Sequence, residues 1–538
     1  MPAVEPAPPA VALARRAFVD ARIRTAVFAY LFAIYAFVQP YGYRHAYPRL
    51  ADRVAFAASF AGSAGLRLLY GQPHDVATVD GYTAWRVGGI LAIAAAIYGL
   101  LAAVRALRAD EDAGRTELVL AGVVGRRTLG VAALAAIGAG VLTLWLAEFA
   151  GFAVAGLPLG SSAYLALATA SVIAVCAGVG ALASQLAPTR RVALELGGAV
   201  VALLFVLRAV ADTAAGMGRL RWATPLGWAE ELRPFAGARP LVLLLPVATT
   251  TLLLLAAARI AARRDIGTGV LPARDSADPH LHLLSSPTAL ALRTSRGTLL
   301  AWLGCVTAFG YLLGVVSNSV SSADVSKSME KQIAKLGAGS ITTPSGYLGF
   351  LFVFLVLAVS LFVCTQIGAA RQEEAEQLET LLALPLSRSR WLTGRLLLAA
   401  SAAGAISLTA GLATWAGATT AGTHVPLPRL LEAGANALPT ALLFLGVAAL
   451  AHAVLPRAGT GIAYALVGLA FLWQLVGALL AAPHWLLDVT PFAHVGLVPA
   501  QPFRATAAGL MLAVAAAAAL AAIAAFRRRD LAVGLFLN

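Results

Sequence analysis

Two short tracts concentrate the side chains that could do chemistry. The first runs Arg105-Ala106-Leu107-Arg108-Ala109-Asp110-Glu111-Asp112-Ala113-Gly114-Arg115-Thr116-Glu117, and the second Arg371-Gln372-Glu373-Glu374-Ala375-Glu376-Gln377-Leu378-Glu379. Helical spacing puts Glu111 and Arg115 on one face with Leu118 a turn further along, and Glu373 with Gln377 likewise, so each tract predicts a short amphipathic helix. Such a helix offers charge to a partner; the plainer alternative is a solvated charged loop. Bond-making chemistry finds no support, because the sequence has no G-x-x-x-x-G-K-S/T loop to cradle a phosphate and no HExxH, GxSxG or paired-carboxylate hydrolase pattern. All three lysines, Lys327, Lys331 and Lys335, fall in one predicted outer loop.

Further ionisable residues lie inside apolar runs, where each costs about 2.5–3.5 kcal/mol at a bilayer centre unless paired or wetted. Glu148 stands beside Trp145 and Phe149 near the end of a long run, which suits either interfacial exposure or a ligand contact. Glu195 follows Arg190 and Arg191 and reads as a local ion pair. Arg208 and Asp212 are one helical turn apart and neutralise each other, with a ligand contact as the alternative. Cys176, Cys305 and Cys364 sit in apolar runs without CxxC spacing, which predicts neither a disulfide nor a metal site.

The elements that must position these side chains follow from hydropathy. Of 538 residues, 60% are hydrophobic and 12% charged, with a mean hydropathy of +0.81. A soluble surface alone wants roughly 25–35% charged residues, so a soluble enzyme is excluded. Runs long enough to cross a ~30 Å hydrocarbon core recur twelve times, at approximately 25–43, 87–107, 129–155, 162–186, 192–212, 240–260, 298–317, 347–370, 392–418, 437–455, 460–482 and 505–526. The expected fold class is an all-α polytopic membrane protein. The formal charge of +14 is the excess of 37 Arg and 3 Lys over 26 acidic residues, and the basic residues are scattered singly between these runs, which makes no patch for nucleic acid. Met1 to Ala14 lacks the basic region of a cleavable signal. Arg15, Arg16, Arg22 and Arg24 before the first span place the N-terminus in the cytoplasm, and an even span count returns the C-terminus there, in a multi-pass plasma-membrane protein. On that orientation Lys and Arg number 25 inside and 15 outside.

The charged tracts belong to a longer repetition with an offset of about 262–268 residues. Glu111-Asp112, Glu117 and Arg126 correspond to Glu373-Glu374, Glu379 and Arg388, and Pro188 corresponds to Pro456. Thr224-Pro225 corresponds to Thr490-Pro491, and Arg264-Asp265 with Gly269 to Arg529-Asp530 with Gly534. Each half holds six spans, and an even number makes the repeats parallel, with a pathway at their interface. The expected organisation is a first six-helix domain over 1–265, a polar cytoplasmic linker over 266–289 and a second six-helix domain over 290–538. Each Thr-Pro pair should break the backbone into an outer hairpin before the last span of its half.

These features together resemble a known family. Glu111 to Leu118 followed by Gly125-Arg126, the run E-E-x-E-x-L-E-x-L-L-A-x-P-x-S-R from Glu373 to Arg388, and the Arg-Arg-Asp ends look like the permease of actinobacterial ATP-binding-cassette exporters for polyketide antibiotics and multiple drugs, over nearly the whole chain. The resemblance implies the type-2 exporter fold, twelve transmembrane helices as two parallel six-helix repeats. It also implies an amphipathic or hydrophobic small-molecule substrate and two copies of a separate cytoplasmic ATPase. ATP and Mg would sit on that partner, with no cofactor in this chain. Glu111, Asp112, Arg115, Glu117 and Arg126, and in the second copy Glu373, Glu374, Glu379 and Arg388, would couple to the ATPase. The first copy departs from the pattern, with Gly122 and Gly125 where the second has Leu384 and Ser387. Val11 to Arg24 and Leu290 to Arg296 would be interfacial elbow helices, and the first has the basic amphipathic make-up that suits an anionic leaflet.

Aromatic residues are concentrated in the spans that line the pathway in such exporters, which suits large apolar ligands. The candidates are Phe28, Phe32, Tyr35, Tyr98 and Phe205 with Arg208 and Asp212 in the first half, and Phe309, Phe350, Phe354, Phe471, Trp473 and Gln474 in the second. For any single ring, packing against neighbouring helices or lipid is the competing role. A proton-coupled major-facilitator drug antiporter is the principal alternative, since it too has two parallel six-span repeats and Asp110 to Arg115 is faintly similar to its second-loop motif. Against it, no carboxylate lies mid-span in both halves. A lipid-modifying enzyme would draw on Asp75, Asp80 and Glu230-Glu231, for which no motif argues.

Overall fold

The computed structural model describes residues 9–61, 64–122, 124–213, 216–271, 286–321, 343–383, 385–456, 458–479, 485 and 488–529. Lys327, Lys331, Lys335, most of the 266–289 linker, Asp530 and Gly534 lie outside the described residues. All regular structure among the described residues is helical, and eleven helices there are long and apolar enough to cross a membrane. A helix satisfies the backbone of a spanning segment from within, which matters because hydrocarbon supplies no partner for a backbone N–H or C=O. The chain divides into two compact units, Met1–Ala277 and Asp278–Asn538.

Unit 1 contains α1 (Pro9–Ala46), α2 (Leu50–Ala61), α3 (Ala64–Tyr70), α4 (Val79–Asp112), α5 (Arg115–Leu120), α6 (Arg126–Val154), α7 (Leu159–Leu186), α8 (Arg190–Thr213), α9 (Pro225–Glu231) and α10 (Leu244–Arg263). Its main pairings are α1 along α6, α4 along α7, and α10 on α7. Phe32, Leu144, Phe152, Val172 and Ile173 fill the space between them. Unit 2 contains α11 (Pro287–Ser321), α12 (Pro344–Glu376), α13 (Leu378–Leu382), α14 (Arg388–Thr420), α15 (Leu427–Ala435), α16 (Leu438–Val454), α17 (Gly459–Leu479) and α18 (Ala505–Arg528). Here α11 lies along α14, while α12 and α18 pack on α16, around a core with Phe362, Trp391 and Phe526 at its centre. The apolar part of α17, Gly459–Gln474, covers most of the expected span at 460–482.

Two expectations change. The elbow segments are not separate helices: Val11 to Arg24 is the first part of α1, whose 38 residues at 1.5 Å rise measure about 57 Å, and Leu290 to Arg296 opens α11. Nothing between Arg24 and Phe28 breaks the helix, and the single Gly297 costs only about 1 kcal/mol. The charged tracts are not free-standing helices either. α4 runs through a π-helical turn at Arg105–Ala109 to Asp112, and α12 runs unbroken to Glu376, so most of the charge belongs to the ends of the spans themselves.

The α11–α14 contact depends on glycine. A Cβ at Gly417 would collide with the Tyr311 carbonyl, and one at Gly314 with that of Thr414, whereas Gly404 on the same α14 has open space. Backbones approach this closely only at small residues. Gly417→Ala should therefore lower stability by about 1–3 kcal/mol, while Gly404→Ala should be neutral or stabilising by up to about 1 kcal/mol. Thermal unfolding of the two variants measures this, and equal losses would contradict the packing.

Candidate functional site

In unit 1 three of the sequence-predicted coupling residues, Glu111, Asp112 and Arg126, join a clamp around the buried Arg108. The Glu111 carboxylate takes both Nη groups of Arg264, at 2.5 and 2.6 Å, and the Gly267 amide at 2.8 Å. Arg108, fully buried, reaches Glu111 at 3.2 Å and Asp112 at 3.0 Å, and it also donates to the Pro188 and Thr268 carbonyls. Asp112 accepts the Arg190 amide at 2.5 Å, a carboxylate at the positive end of α8. Arg126 donates to the Arg264 carbonyl at 3.1 Å. The C-terminus of α4, the N-termini of α6 and α8, and the C-terminus of α10 are thereby tied at one point.

Unit 2 has a clamp of the same design. Glu374, 3% exposed, pairs with Arg529 and has His452 Nε2 at 2.9 Å. Arg529 donates to the His452 carbonyl at 2.7 Å and receives Arg388 on its own carbonyl at 2.5 Å. Glu373 pairs with Arg395 and accepts the Trp391 indole N–H at 2.8 Å. The arginines Arg264 and Arg529 complete these sites. Their signal in the sequence was the repeated Arg-Asp landmark, which carried no role until the fold brought each to its carboxylate.

Beyond each clamp a short foot stays in the open. Gly114, at φ 69°, turns the chain after α4, and α5 then presents Arg115, Glu117 and Leu118, with Leu118 78% exposed. Arg115 pairs with Asp110 at 2.5 Å rather than with Glu111, whose carboxylate the clamp has taken. In unit 2 α13 buries Leu378 and exposes Glu379 and Thr380. The predicted residues thus divide: Glu111, Asp112, Arg126, Glu373, Glu374 and Arg388 join helix ends, while Arg115, Glu117 and Glu379 face outward.

The predicted pathway residues divide as well. Phe32 and Tyr98 are buried in unit 1, with Phe28, Tyr35 and Phe205 packed on the same cluster and Phe28 against Tyr98 at 5.1 Å. In unit 2, Phe350, Phe354 and Phe471 form a chain of ring contacts at 6.0 and 5.5 Å that continues to Phe492. Gln474 accepts the Thr490 hydroxyl at 2.8 Å, next to Trp473. Phe309 stands apart at 38% exposure.

Arg208 and Asp212 do neutralise each other, at 2.9 Å, as part of a larger buried network. Arg208 also lies 2.5 Å from Glu230, Arg221 bridges Asp212 and Glu231 at 2.8 and 3.0 Å, and Glu231 holds Arg239 at 2.9 Å. Cross-linking of this kind is what makes buried charge tolerable. Thr224 does more than break the chain: its hydroxyl caps α9, the helix that carries Glu230 and Glu231. Beside the network lies a cavity of about 50 Å³ lined by Tyr70, Trp85, Thr169, Arg208 and Arg233 among others, room for only a few waters. His74, on its rim, is held below the usual histidine range first by burial and then by the Arg233 charge.

Glu195 pairs with Arg191 at 2.9 Å on the surface, as its spacing predicts. Glu148 is not at an interface: it is 1% exposed between α6 and α7, and Thr169 Oγ donates to it at 3.1 Å.

The chain as a whole is similar to known proteins. Residues 284–527 match the family model described as "Multidrug efflux system permease Rv1217c, C-terminal domain". The multidrug efflux system permease protein Rv1217c of Mycobacterium tuberculosis is 33% identical over 490 residues, which cover 90% of this chain and 88% of that protein. With eleven candidate membrane-crossing helices among its described residues and this similarity over nine-tenths of its length, the chain belongs to the Rv1217c family of multidrug efflux system permeases.

Proposed function

We propose that this chain is the membrane subunit of an ATP-driven exporter of amphipathic drugs or polyketide-type antibiotics, energised by two copies of a separate cytoplasmic ATPase that hold ATP and Mg. In this reading α17 is the twelfth span and the units are two parallel repeats with both termini cytoplasmic. The pairings support it, since in each unit the first span lies along the third, the second along the fourth, and the fourth against the sixth. The name of the relative supports drug efflux.

One observation carries the proposal. Exposed Glu117 and Glu379 sit 262 residues apart on the feet immediately beyond Glu111 and Glu374, whose carboxylates Arg264 and Arg529 hold, so each unit offers an acidic contact backed by a clamp that gathers several helix ends. A push on a foot would be delivered to those helices together. Aromatic clusters around Phe32 and Phe471 suit a substrate of mixed apolar shape.

Inverted vesicles containing this chain with its ATPase should accumulate a fluorescent drug only with ATP and Mg, and vesicles with this chain alone should not. Uptake driven by a proton gradient without nucleotide would overturn the proposal. That outcome belongs to the second reading, a proton-coupled antiporter, which draws on buried Glu148 but finds no acidic residue in α14, the third span of unit 2.

A further inference from the structure

We infer that Glu148 is the counter-charge for a lipophilic organic cation, so that unit 1 recognises monocationic amphiphiles as a substrate class. The inference rests on the export reading for the fate of the bound molecule, and on geometry for its binding.

Four buried carboxylates occur among the described residues: Glu148, Asp212, Glu231 and Glu374. Asp212, Glu231 and Glu374 each have an arginine at ion-pair distance. Glu148 has none; its polar contact is the neutral Thr169 hydroxyl. A carboxylate out of water is held by a paired cation and hydrogen bonds, so this position is one positive charge short of the others. The fold does not need an acid there, because Leu144 and Phe152, a turn away on either side of the same face of α6, are apolar and fully buried.

The surroundings match an organic cation better than a hydrated metal ion. No group of three or more metal-ligating side chains occurs among the described residues. Trp145 and Phe149, three positions before and one after Glu148 in α6, stack on each other at 5.7 Å, aromatic rings of the kind that attract cations. Thr169 connects the site to space: the residue whose hydroxyl meets Glu148 also lines the cavity by Arg208 and Trp85. That cavity is too small for a drug in this conformation, so a ligand enters by parting α6 and α7. Arg208 and Arg233, which also line the cavity, are already committed to Glu230 and Glu231, which leaves Glu148 to take the incoming charge.

The test uses the full chain in lipid discs of zwitterionic lipid, with two probes of similar shape: tetraphenylphosphonium, a permanent cation, and triphenylphosphine oxide, which is neutral. The native chain should bind the cation roughly tenfold more tightly than the oxide, the scale set by a desolvated ion pair with aromatic contacts. Glu148→Gln keeps an acceptor for Thr169 and should bring that ratio to about one, leaving oxide binding within about twofold. Glu148→Asp should keep the preference. A preference that survives in Glu148→Gln, a native chain with no preference, or equal loss of both probes in the variant would each overturn the inference. Binding requires no nucleotide, so the counter-charge role of Glu148 is read without the ATPase, and failure of the assembled complex to export any drug would overturn the export reading while leaving that role standing.

Discussion

Glu374→Ala should destabilise unit 2 by about 3–5 kcal/mol, the cost of breaking an ion pair whose carboxylate is buried and whose arginine is largely shielded. Arg529 would keep its bonds to carbonyls and its position over Phe526 at 4.9 Å, but nothing within the clamp would balance its charge. His452, 1% exposed, would lose the same carboxylate. The loss is measurable with thiol-reactive dye, because Cys364 is buried in unit 2, Cys176 is buried in unit 1, and exposed Cys305 can be removed. In a chain whose only cysteine is Cys364, the unfolding midpoint should fall on the order of 10 °C. In one that retains only Cys176, the shift should be much smaller. The double variant Glu374→Leu with Arg529→Met should recover at least half of the loss, since removing both charges leaves neither stranded. If the double variant is as unstable as the sum of the single ones, the clamp is held by packing and not by charge.

Glu117→Arg with Glu379→Arg should do the opposite, leaving the midpoint within about 1 °C and weakening ATPase association by roughly tenfold to a hundredfold. Both side chains are exposed and neither takes part in a clamp. Reversing a charge at a complementary contact replaces attraction by repulsion, whereas the folded units lose nothing. Co-purification and ATP-dependent drug uptake would be compared with native chain at equal expression. Either single reversal should give an intermediate defect, because one foot remains. Full association in the double variant would remove the feet from the proposed contact and would point to the clamps themselves or to other surfaces. The two experiments separate roles that the sequence groups together: Glu111, Glu374 and Glu117 look alike as letters, and only their surroundings distinguish an internal strut from an external contact.

How far the sequence could be read depends on whether the relevant property is local. Crossing a membrane is a property of some twenty consecutive residues, so hydropathy alone located the eleven helices that are long and apolar enough among the described residues. The charged tracts and their repetition are equally local, and so is the pairing of Arg208 with Asp212 one turn away. Where helices end was less legible, because a helix continues until something stops it: α1 and α11 absorb the segments expected as elbows, and α4 and α12 absorb most of each acidic tract. Only the tertiary structure decided which acids are spent and which remain available. Glu111 meets Arg264 across 153 positions and Glu374 meets Arg529 across 155, distances at which no periodicity signals a partner. Glu148 differs from those acids only in that helix packing brought it a threonine instead of an arginine. The energy of a buried charge is fixed by neighbours that the chain supplies from far away, and this is why composition and spacing established a polytopic membrane protein while the packing of helices assigned its individual carboxylates.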